Sequence, residues 1–392
     1  MAAVASVFSV MTLTAPELER YSRHLALREI GAAGQEKLKA ARVLIVGAGG
    51  LGSPSALYLA AAGVGTLGVL DHDRVDVSNL QRQVLYDTVS VGAAKAEAAR
   101  QRLLALNPHL QLISHPVVLR AANVRDIIAG YDLVLDGTDQ FATRYLTNDA
   151  CVLLGRPLVS AAIHRFEGQA MTYVPGRGPC YRCLFPEPPA AGLVPNCAEA
   201  GVLGVLPGVL GTLQATEAIK LIVGIGEPLV GRLLTYDALA MRFGEFTFAR
   251  RKDCAVCGER PTIVEPKDLA VVCSAEELAA IQRLSPVELA GLFQRAVASG
   301  EAVSVIDVRE PYEFAVAHLA NAVNIPVGQL QQRLGELPRA TLPIFVCRSG
   351  GRSLTAATVA LRAGVPHLAH LEGGLLAWAR EVDASFEVAN VG

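Results

Sequence analysis

The chain has 392 residues, of which 52% are hydrophobic, and a formal net charge of −2. This length exceeds one ordinary domain, the balanced charge gives no reason to expect nucleic acid or membrane as a partner, and no apolar stretch is long enough to cross a bilayer. Eight cysteines in so long a chain do not form the disulfide framework of a small secreted protein, so we expect metal-binding and catalytic thiols in a reducing cytoplasm.

The first two fifths of the chain predict an open α/β sheet. Residues 17–40 are charged and have a helical pattern, and from residue 42 to about 160 short apolar runs alternate with helical stretches. The predicted strands are Arg42–Val46, Thr66–Leu70, Leu133–Leu135 and Pro157–Ser160. This alternation is typical of a doubly wound, Rossmann-like sheet with buried parallel strands.

The rest of the chain predicts a loop, a long helix and a linker, followed by a second, smaller α/β unit of about a hundred residues. Pro186–Pro195 is rich in Pro and predicts a loop, whereas Leu206–Val223 has helical periodicity and stops at Gly224. Ser285-Pro286-Val287-Glu288 is typical of a helix start, with Ser as the cap and Glu turned back toward it. The predicted boundaries are 1–15 for a flexible extension, 16–262 for the first domain, 263–283 for a linker and 284–386 for the second domain.

A glycine-rich segment follows the first predicted strand. It reads Gly47-Ala48-Gly49-Gly50-Leu51-Gly52-Ser53 and leads into a helix, whose N-terminus offers N–H groups and a positive dipole to a phosphate. Asp71 ends the next strand, where an acidic residue can bind a ribose hydroxyl. Taken alone, these features fit a nicotinamide dinucleotide site or a purely structural turn.

Residues suited to a triphosphate follow successive predicted strands. They are Asp71, Asp73, the run Ser78, Asn79, Leu80, Gln81 and Arg82, then Lys95 and Asp139. Arg and Lys neutralise phosphate charge, and a carboxylate at the end of a strand can hold Mg²⁺. A dinucleotide needs no such cluster. A surface ion-pair network explains any one of these residues but not the whole set, so the pattern favours ATP.

Several stretches resemble the ThiF/MoeB adenylyltransferases, which are related to ubiquitin-activating enzymes. The stretches are Arg20-Tyr21-Ser22-Arg23, the glycine segment, Asp71-His-Asp-x₄-Ser-Asn-Leu-Gln-Arg-Gln, Lys95, Asp136-Gly-Thr-Asp139 and Gly211-Thr-Leu-Gln-Ala-Thr-Glu217-Ala-Ile-Lys220. They cover roughly residues 20–262 and are jointly specific. The resemblance implies a ThiF/MoeB fold and ATP-dependent adenylation of the C-terminal Gly of a ubiquitin-like sulfur-carrier protein of the MoaD or ThiS type.

The resemblance also implies roles for individual residues. It places Gly50 against the phosphates, Asp71 on the ribose, Asn79, Arg82 and Lys95 on the phosphates, and Asp139 on Mg²⁺. Arg23 would reach into the partner subunit's site, so a homodimer is expected. Gln140 departs from the family, which often has Asn after the Mg²⁺-binding Asp.

The cysteines divide into two Cys-x-x-Cys pairs and lone residues. Cys180-x-x-Cys183 and Cys254-x-x-Cys257 together predict a closed, structural Cys₄ zinc site, and the alternative is free or redox-active thiols. Cys197 lies in a Pro/Gly-rich segment. The resemblance to the ThiF/MoeB family implies that Cys197 resolves a sulfur intermediate, and a buried, inert thiol is the alternative.

A second cysteine loop follows a strand near the end of the chain. It reads Cys347-Arg348-Ser349-Gly350-Gly351-Arg352, and we expect its backbone N–H groups and two Arg side chains to favour a thiolate, with a helix beginning near Ser353. With Ile306-Asp-Val-Arg-Glu310 and Glu372-Gly-Gly-x₃-Trp378, it resembles a rhodanese-like domain over residues 284–386. The six-residue loop is more similar to sulfurtransferases than to the related phosphatases. The resemblance implies a persulfide on Cys347, with Asp307 and Arg309 as scaffold residues.

The sequence therefore predicts an adenylyltransferase fused to a sulfurtransferase, with ATP, Mg²⁺ and Zn²⁺ as cofactors and an upstream persulfide donor such as a cysteine desulfurase. Sulfur carriers for molybdopterin, thiamine, cysteine and tRNA thiolation all fit this prediction. One alternative is an NAD-dependent oxidoreductase with an appended rhodanese sensor domain. Another is a non-catalytic scaffold that docks a ubiquitin-like partner, although the set of phosphate-binding positions argues against it.

Overall fold

The computed structural model describes residues 13–188, 201–268, 279–300, 302–338 and 341–388. These residues form two compact units, with 13–188 and 201–268 in the first and the residues from 279 onward in the second. Each unit has its own sheet and its own buried apolar clusters. Among the described residues, no helix combines the length and the apolar character needed to span a membrane.

The first unit is built on an eight-stranded sheet with the order β3-β2-β1-β4-β5-β6-β7-β8. Its strands are β1 Arg42–Val46, β2 Thr66–Leu70, β3 Gln111–His115, β4 Leu133–Asp136, β5 Leu158–His164, β6 Glu167–Tyr173, β7 Arg232–Asp237 and β8 Arg242–Thr247. Strands β1 to β5 pair in parallel and β5 to β8 pair antiparallel. The parallel half was predicted from the sequence, and the antiparallel half was not.

Helices cover both faces of the parallel half, as buried strands of this type require. They are α1 Ala15–Arg20, α2 Ser22–Leu25, α3 Gly31–Ala40, α4 Gly52–Ala62, α5 Lys95–Leu106, α6 Ala121–Ala129, α7 Phe141–Leu154, α8 Tyr181–Leu184 and α9 Leu206–Val223. Two apolar clusters hold the helices against the parallel strands. Helix α9 has the predicted bounds, and it ends at Gly224 in the left-handed conformation that commonly stops a helix.

The order of the strands decides where a ligand binds. Chain connections run outward in opposite directions from the neighbours β1 and β4, and ligands of open α/β sheets bind beyond the carboxyl ends of strands at such a reversal. The glycine segment follows β1, Asp71 follows β2, and Asp136 ends β4. Because these strands are parallel, the three features meet at one edge of the sheet.

The second unit has a five-stranded parallel sheet with the order β11-β10-β12-β13-β9. Its strands are β9 Gln282–Leu284, β10 Ser304–Asp307, β11 Val323–Asn324, β12 Pro343–Val346 and β13 Ala369–Leu371. Its helices are α10 Pro286–Ser299, α11 Pro311–Val316, α12 Leu330–Arg333, α13 Gly351–Arg362 and α14 Gly374–Glu381. The predicted α/β architecture of both units is therefore present.

Two details at the junctions differ from the sequence analysis. Strand β9 overlaps the end of the predicted linker, whose residues 269–278 lie outside the described part of the chain. Helix α13 begins at Gly351, two residues before the predicted Ser353. The cap before α10 is as predicted, since Ser285 accepts the N–H of Glu288 and the Glu288 carboxylate accepts the N–H of Ser285.

Candidate functional site

The glycine segment packs so tightly that one of its positions tolerates no side chain. A Cβ atom on Gly52 would lie 1.9 Å from the carbonyl oxygen of Gly47, inside the van der Waals distance. Gly47 also donates its N–H to the carbonyl of Leu70 at the end of β2, at 2.8 Å. Gly49 and Gly50 lie between Gly47 and Gly52. The loop therefore presents backbone without side chains at the N-terminus of α4.

Asp71 holds this loop in place. Its Oδ2 accepts the N–H of Ala48 and its Oδ1 accepts the N–H of Asp73, both at 2.9 Å. Tyr86, which the sequence analysis missed, donates its hydroxyl to the Ala48 carbonyl at 3.0 Å. Burial raises the pKa of Tyr86, and the nearby carboxylates of Asp71 and Asp73 raise it further, so the phenol remains a neutral donor.

Two predicted phosphate-binding cations are held beside the same sheet edge. Lys95 begins α5, is buried, and places its Nζ 3.0 Å from Oδ2 of Asp73. The half-buried Arg82 donates from Nη1 to the carbonyl of Ser78 at 3.1 Å, and Asn79 donates to the Ser78 hydroxyl at 3.5 Å. Arg82 and Asn79 therefore belong to one short turn, and Lys95 is tied to the segment that precedes it.

Asp139 is presented by a rigid loop after β4. The buried Asp136 accepts hydrogen bonds from the N–H of Thr138 at 3.0 Å, the hydroxyl of Ser160 at 3.0 Å and Nε of Arg144 at 3.2 Å. Asp139 itself is exposed and has no hydrogen bond or ion pair with any described residue. An open carboxylate on a fixed backbone is a suitable oxygen ligand for Mg²⁺.

The other predicted nucleotide-site residues have less specific surroundings. Leu80 is half-buried and packs against the core, whereas Gln81 is exposed. Gln140 is exposed at the cap position of α7 and makes no capping bond. Arg23 lies on α2, is exposed, and forms no ion pair within the described residues. The structure thus collects most of the predicted set at one edge, while Arg23 faces solvent.

The two Cys-x-x-Cys pairs meet although seventy residues separate them in the chain. The four sulfur atoms of Cys180, Cys183, Cys254 and Cys257 all lie within 4.8 Å of one another, and two of the distances are 3.7 and 3.4 Å. Sulfurs placed 2.3 Å from a tetrahedral zinc ion are about 3.8 Å apart. The buried cluster therefore fits zinc, and four thiolates leave no position open for catalysis.

The first of these pairs also braces the helix that begins after Asp139. Tyr181 donates its N–H to Oδ1 of Asn148 on α7 at 2.9 Å. Arg182 donates to both carboxylate oxygens of Asp149, at 2.7 and 2.8 Å, and both side chains are buried. The cysteine cluster is therefore connected to α7 by neutral and charge-assisted bonds.

Removing one thiolate should release the metal. We expect Cys254→Ser to lose most of its zinc and to unfold at a temperature lower by roughly 10 °C or more, because such sites contribute several kcal/mol to folding. Metal analysis and calorimetry of the purified chain check this. The control is Cys151→Ser, which changes another buried thiol of the same core and should keep the metal. Equal zinc in wild type and Cys254→Ser would contradict the assignment.

In the second unit, Cys347 lies directly after β12 with its sulfur in a cradle of backbone donors. The thiol is 1% exposed, and its Sγ accepts the N–H groups of Gly350 and Ser353, each at 3.2 Å. Gly350 has φ +95°, a conformation that side chains disfavour, and this bend turns the loop back toward the sulfur. The predicted curl of N–H groups is present.

One of the two arginines of this loop is paired with a buried carboxylate. Arg352 donates from both Nη atoms to the buried carboxylate of Glu313, at 2.6 and 2.8 Å, so its charge is paired. Burial raises the pKa of Glu313, but the bonds to Arg352 outweigh this and the net shift is downward. The sequence analysis expected both loop arginines to add positive charge, and the carboxylate of Glu313 offsets the charge of Arg352.

Asp307 and Arg309 form a buried scaffold at the end of β10, where Asp307 lies opposite Val346 of β12. Arg309 Nη2 lies 2.7 Å from Oδ2 of Asp307 and also donates to the carbonyl of Ala317 at 2.7 Å. Asn324 donates its side-chain amide to the carbonyls of both residues. These bonds join β10, β11 and the segment after α11. Cys197, the remaining predicted site residue, lies outside the described residues.

Family models match both units. The ThiF family model matches residues 21–256, and the model described as a rhodanese-like domain matches residues 289–381. The predicted fold class, a Rossmann-like sheet of the ThiF/MoeB type with a smaller rhodanese-like α/β domain, is confirmed.

Individual proteins give the same result. The probable adenylyltransferase/sulfurtransferase MoeZ of Mycobacterium tuberculosis is 45% identical over 381 residues, which cover 94% of this chain and 95% of MoeZ. The sulfur carrier protein adenylyltransferase of Thermus thermophilus is 54% identical over 268 residues, 67% of this chain and 99% of that protein. The crystal structure of E. coli MccB with MccA-N7isoASN matches with a TM-score of 0.55 and 25% identity, over 61% of this chain and 74% of that chain. These similarities give no support to the nicotinamide oxidoreductase alternative.

Proposed function

This chain belongs to the ThiF family and carries a rhodanese-like domain, and from that premise we propose that it performs two linked reactions. The first is ATP-dependent adenylation of the C-terminal glycine of a ubiquitin-like sulfur-carrier protein. The second is transfer of sulfur from a Cys347 persulfide to the activated glycine, which leaves a thiocarboxylate.

One observation supports the proposal above all others. A glycine loop with nearby cations and a thiol loop lined by backbone N–H groups occur in one chain, and that chain matches MoeZ over nearly the full length of both. MoeZ is named for both activities. A nicotinamide enzyme needs neither the cluster around Arg82 nor a cradled thiol.

The adenylation step makes a poor electrophile reactive. An oxygen of the glycine carboxylate attacks the α-phosphorus of ATP, the bond to the bridging oxygen breaks, and pyrophosphate leaves. The carboxylate is already ionised at neutral pH, so the step needs no general base. Catalysis then comes from fixed charges and N–H groups around the phosphates.

The residues for this step have distinct tasks. Asn79 and Arg82 would bind phosphate oxygens, and Lys95 would do so after exchanging its contact with Asp73 for the stronger charge of the nucleotide. Asp139 would hold Mg²⁺, which offsets charge on the phosphates when bound. Arg23 would complete the site of a partner subunit, so a homodimer is part of the proposal.

The sulfur transfer follows from the cradle at Cys347. The terminal sulfur of the persulfide attacks the acyl carbon, AMP leaves, and an acyl disulfide to Cys347 forms. A thiolate, for which we propose Cys197 or an external thiol, then attacks the Cys347 sulfur. The thiocarboxylate leaves, and the new disulfide is reduced by a thiol before the next cycle. A donor of the cysteine desulfurase type would reload the persulfide.

An isotope-exchange experiment tests the first half. The protein should exchange labelled pyrophosphate into ATP only when a carrier with an intact Gly-Gly end is present, because only that tail supplies the attacking carboxylate. The same carrier without its last two glycines is the control. Exchange that ignores the carrier, or tight binding of nicotinamide nucleotides without binding of ATP, would contradict the proposal.

A further inference from the structure

A histidine lies where an apolar residue is expected. Strand β13 is buried along its whole length between β12 and β9, and its central residue, His370, is 5% exposed. Burial lowers the pKa of His370, the positive charge of Arg283 lowers it further, and Glu372 opposes this in part. The imidazole is therefore neutral at pH 7 and carries one N–H.

The surroundings of the ring indicate which nitrogen carries that proton. Nδ1 of His370 lies 3.5 Å from Oγ of Ser353, whereas Nε2 is buried and has no hydrogen-bond partner among the described residues. An unpaired buried N–H is less well tolerated than an unpaired acceptor. The proton therefore belongs on Nδ1, where it is directed to the Ser353 hydroxyl.

Ser353 connects this histidine to the reactive thiol. Its hydroxyl is fully buried, donates to the carbonyl of Gly350 at 2.9 Å, and lies 3.5 Å from Sγ of Cys347. The oxygen has two lone pairs, which can accept the S–H of Cys347 and the Nδ1–H of His370 together. The backbone N–H of Ser353 already contacts the same sulfur at 3.2 Å.

We propose that His370 is a positioning residue for the sulfur chemistry at Cys347 and that it acts through the Ser353 hydroxyl. Once Sγ of Cys347 is a thiolate it has no proton to give, and the Ser353 hydroxyl can turn from the Gly350 carbonyl to donate to it. The Nδ1–H of His370 keeps the Ser353 oxygen in place during this turn. The inference rests on the proposed function, which gives Cys347 its persulfide.

The test uses the full chain and measures how fast iodoacetamide alkylates Cys347, read from the mass of the peptide that contains it. His370→Leu removes the donor and should slow alkylation at pH 7 by roughly three- to tenfold, the effect of losing one hydrogen bond. His370→Asn carries an amide nitrogen at the place of Nδ1 and should restore most of the rate, whereas His370→Gln, which places its amide near Nε2, should not. His367→Leu changes an exposed histidine of the same unit and is the matched control.

A double-mutant cycle distinguishes an effect of His370 that acts through the Ser353 hydroxyl from an effect of altered packing. If His370 acts through Ser353, then His370→Leu should have little further effect in a chain that already carries Ser353→Ala. Additive effects, an unchanged rate in His370→Leu, or an Asn variant as slow as the Leu variant would each overturn the inference. Thermal unfolding of every variant shows whether the fold is retained.

These alkylation rates do not depend on a carrier or on ATP. Failure of the inference therefore leaves the proposed function intact. Failure of the proposed function would show instead as thiocarboxylate formation that continues without Cys347.

Discussion

Cys347→Ser should abolish sulfur transfer to the carrier and leave carrier-dependent pyrophosphate exchange at its original rate. A serine oxygen fits the cradle formed by the N–H groups of Gly350 and Ser353, but it cannot carry a transferable sulfur atom. The adenylation residues belong to the other compact unit, so their chemistry does not need this thiol. Exchange and carrier mass, measured on the same preparation, give both results.

The matched control for this variant is Cys151→Ser. Cys151 is also fully buried, and burial together with the charge of Asp136 raises the pKa of its thiol, so it is inert. It should keep both activities. Thiocarboxylate formed at the normal rate by Cys347→Ser would show that the sulfur travels by another route.

Asp139→Asn should lower pyrophosphate exchange by about two to three orders of magnitude, the usual effect of removing one charge-stabilising group from a reaction centre. The side chain is exposed and has no described partner, so the change removes a charge without disturbing a contact. Asp136 and Arg144 hold the backbone of this loop independently of Asp139. The unfolding temperature should therefore stay the same while the exchange rate falls.

Asp126→Asn provides the comparison for Asp139→Asn. Asp126 is an exposed carboxylate on helix α6, and its substitution makes the same change in net charge. It should leave the exchange rate unchanged across a range of Mg²⁺ concentrations. If Asp139→Asn behaves like Asp126→Asn, the assignment of Asp139 to the metal is wrong.

The fold was predictable where one local rule decides the structure. Strands β1 and β2 have the predicted bounds, because continuous apolar runs mark strands that are buried on both faces. Helix α9 stops at Gly224, and Ser285 caps α10 through bonds within four residues. In the same way, paired cysteines at metal-ligand spacing predicted a cluster that the structure assembles.

Features that depend on distant residues were not predictable. Glu313 pairs with Arg352 across 39 positions, and nothing in either local sequence marks the contact. The contacts of Tyr86 and Arg144 were not predictable for the same reason, because each residue supports a loop that only the folded sheet brings within reach. His370 occupies an otherwise apolar three-residue strand, where its polarity was the one available signal.

Some strands of both sheets were also not predictable from the local sequence. Strand β9 has three residues, too few for an alternating or continuous apolar pattern to stand out, and parallel pairing with β13 fixes it. Strands β7 and β8 extend the first sheet antiparallel from β6, and β8 is largely exposed, so it lacks the buried run that marked the parallel strands.

The most direct measurement is the mass of the carrier itself. A carrier with a C-terminal Gly-Gly is incubated with the protein, ATP and a persulfide donor, and its intact mass is then recorded. The account predicts a gain equal to the difference between sulfur and oxygen, which requires ATP and is lost in Cys347→Ser. An unchanged carrier mass with every component present would contradict it.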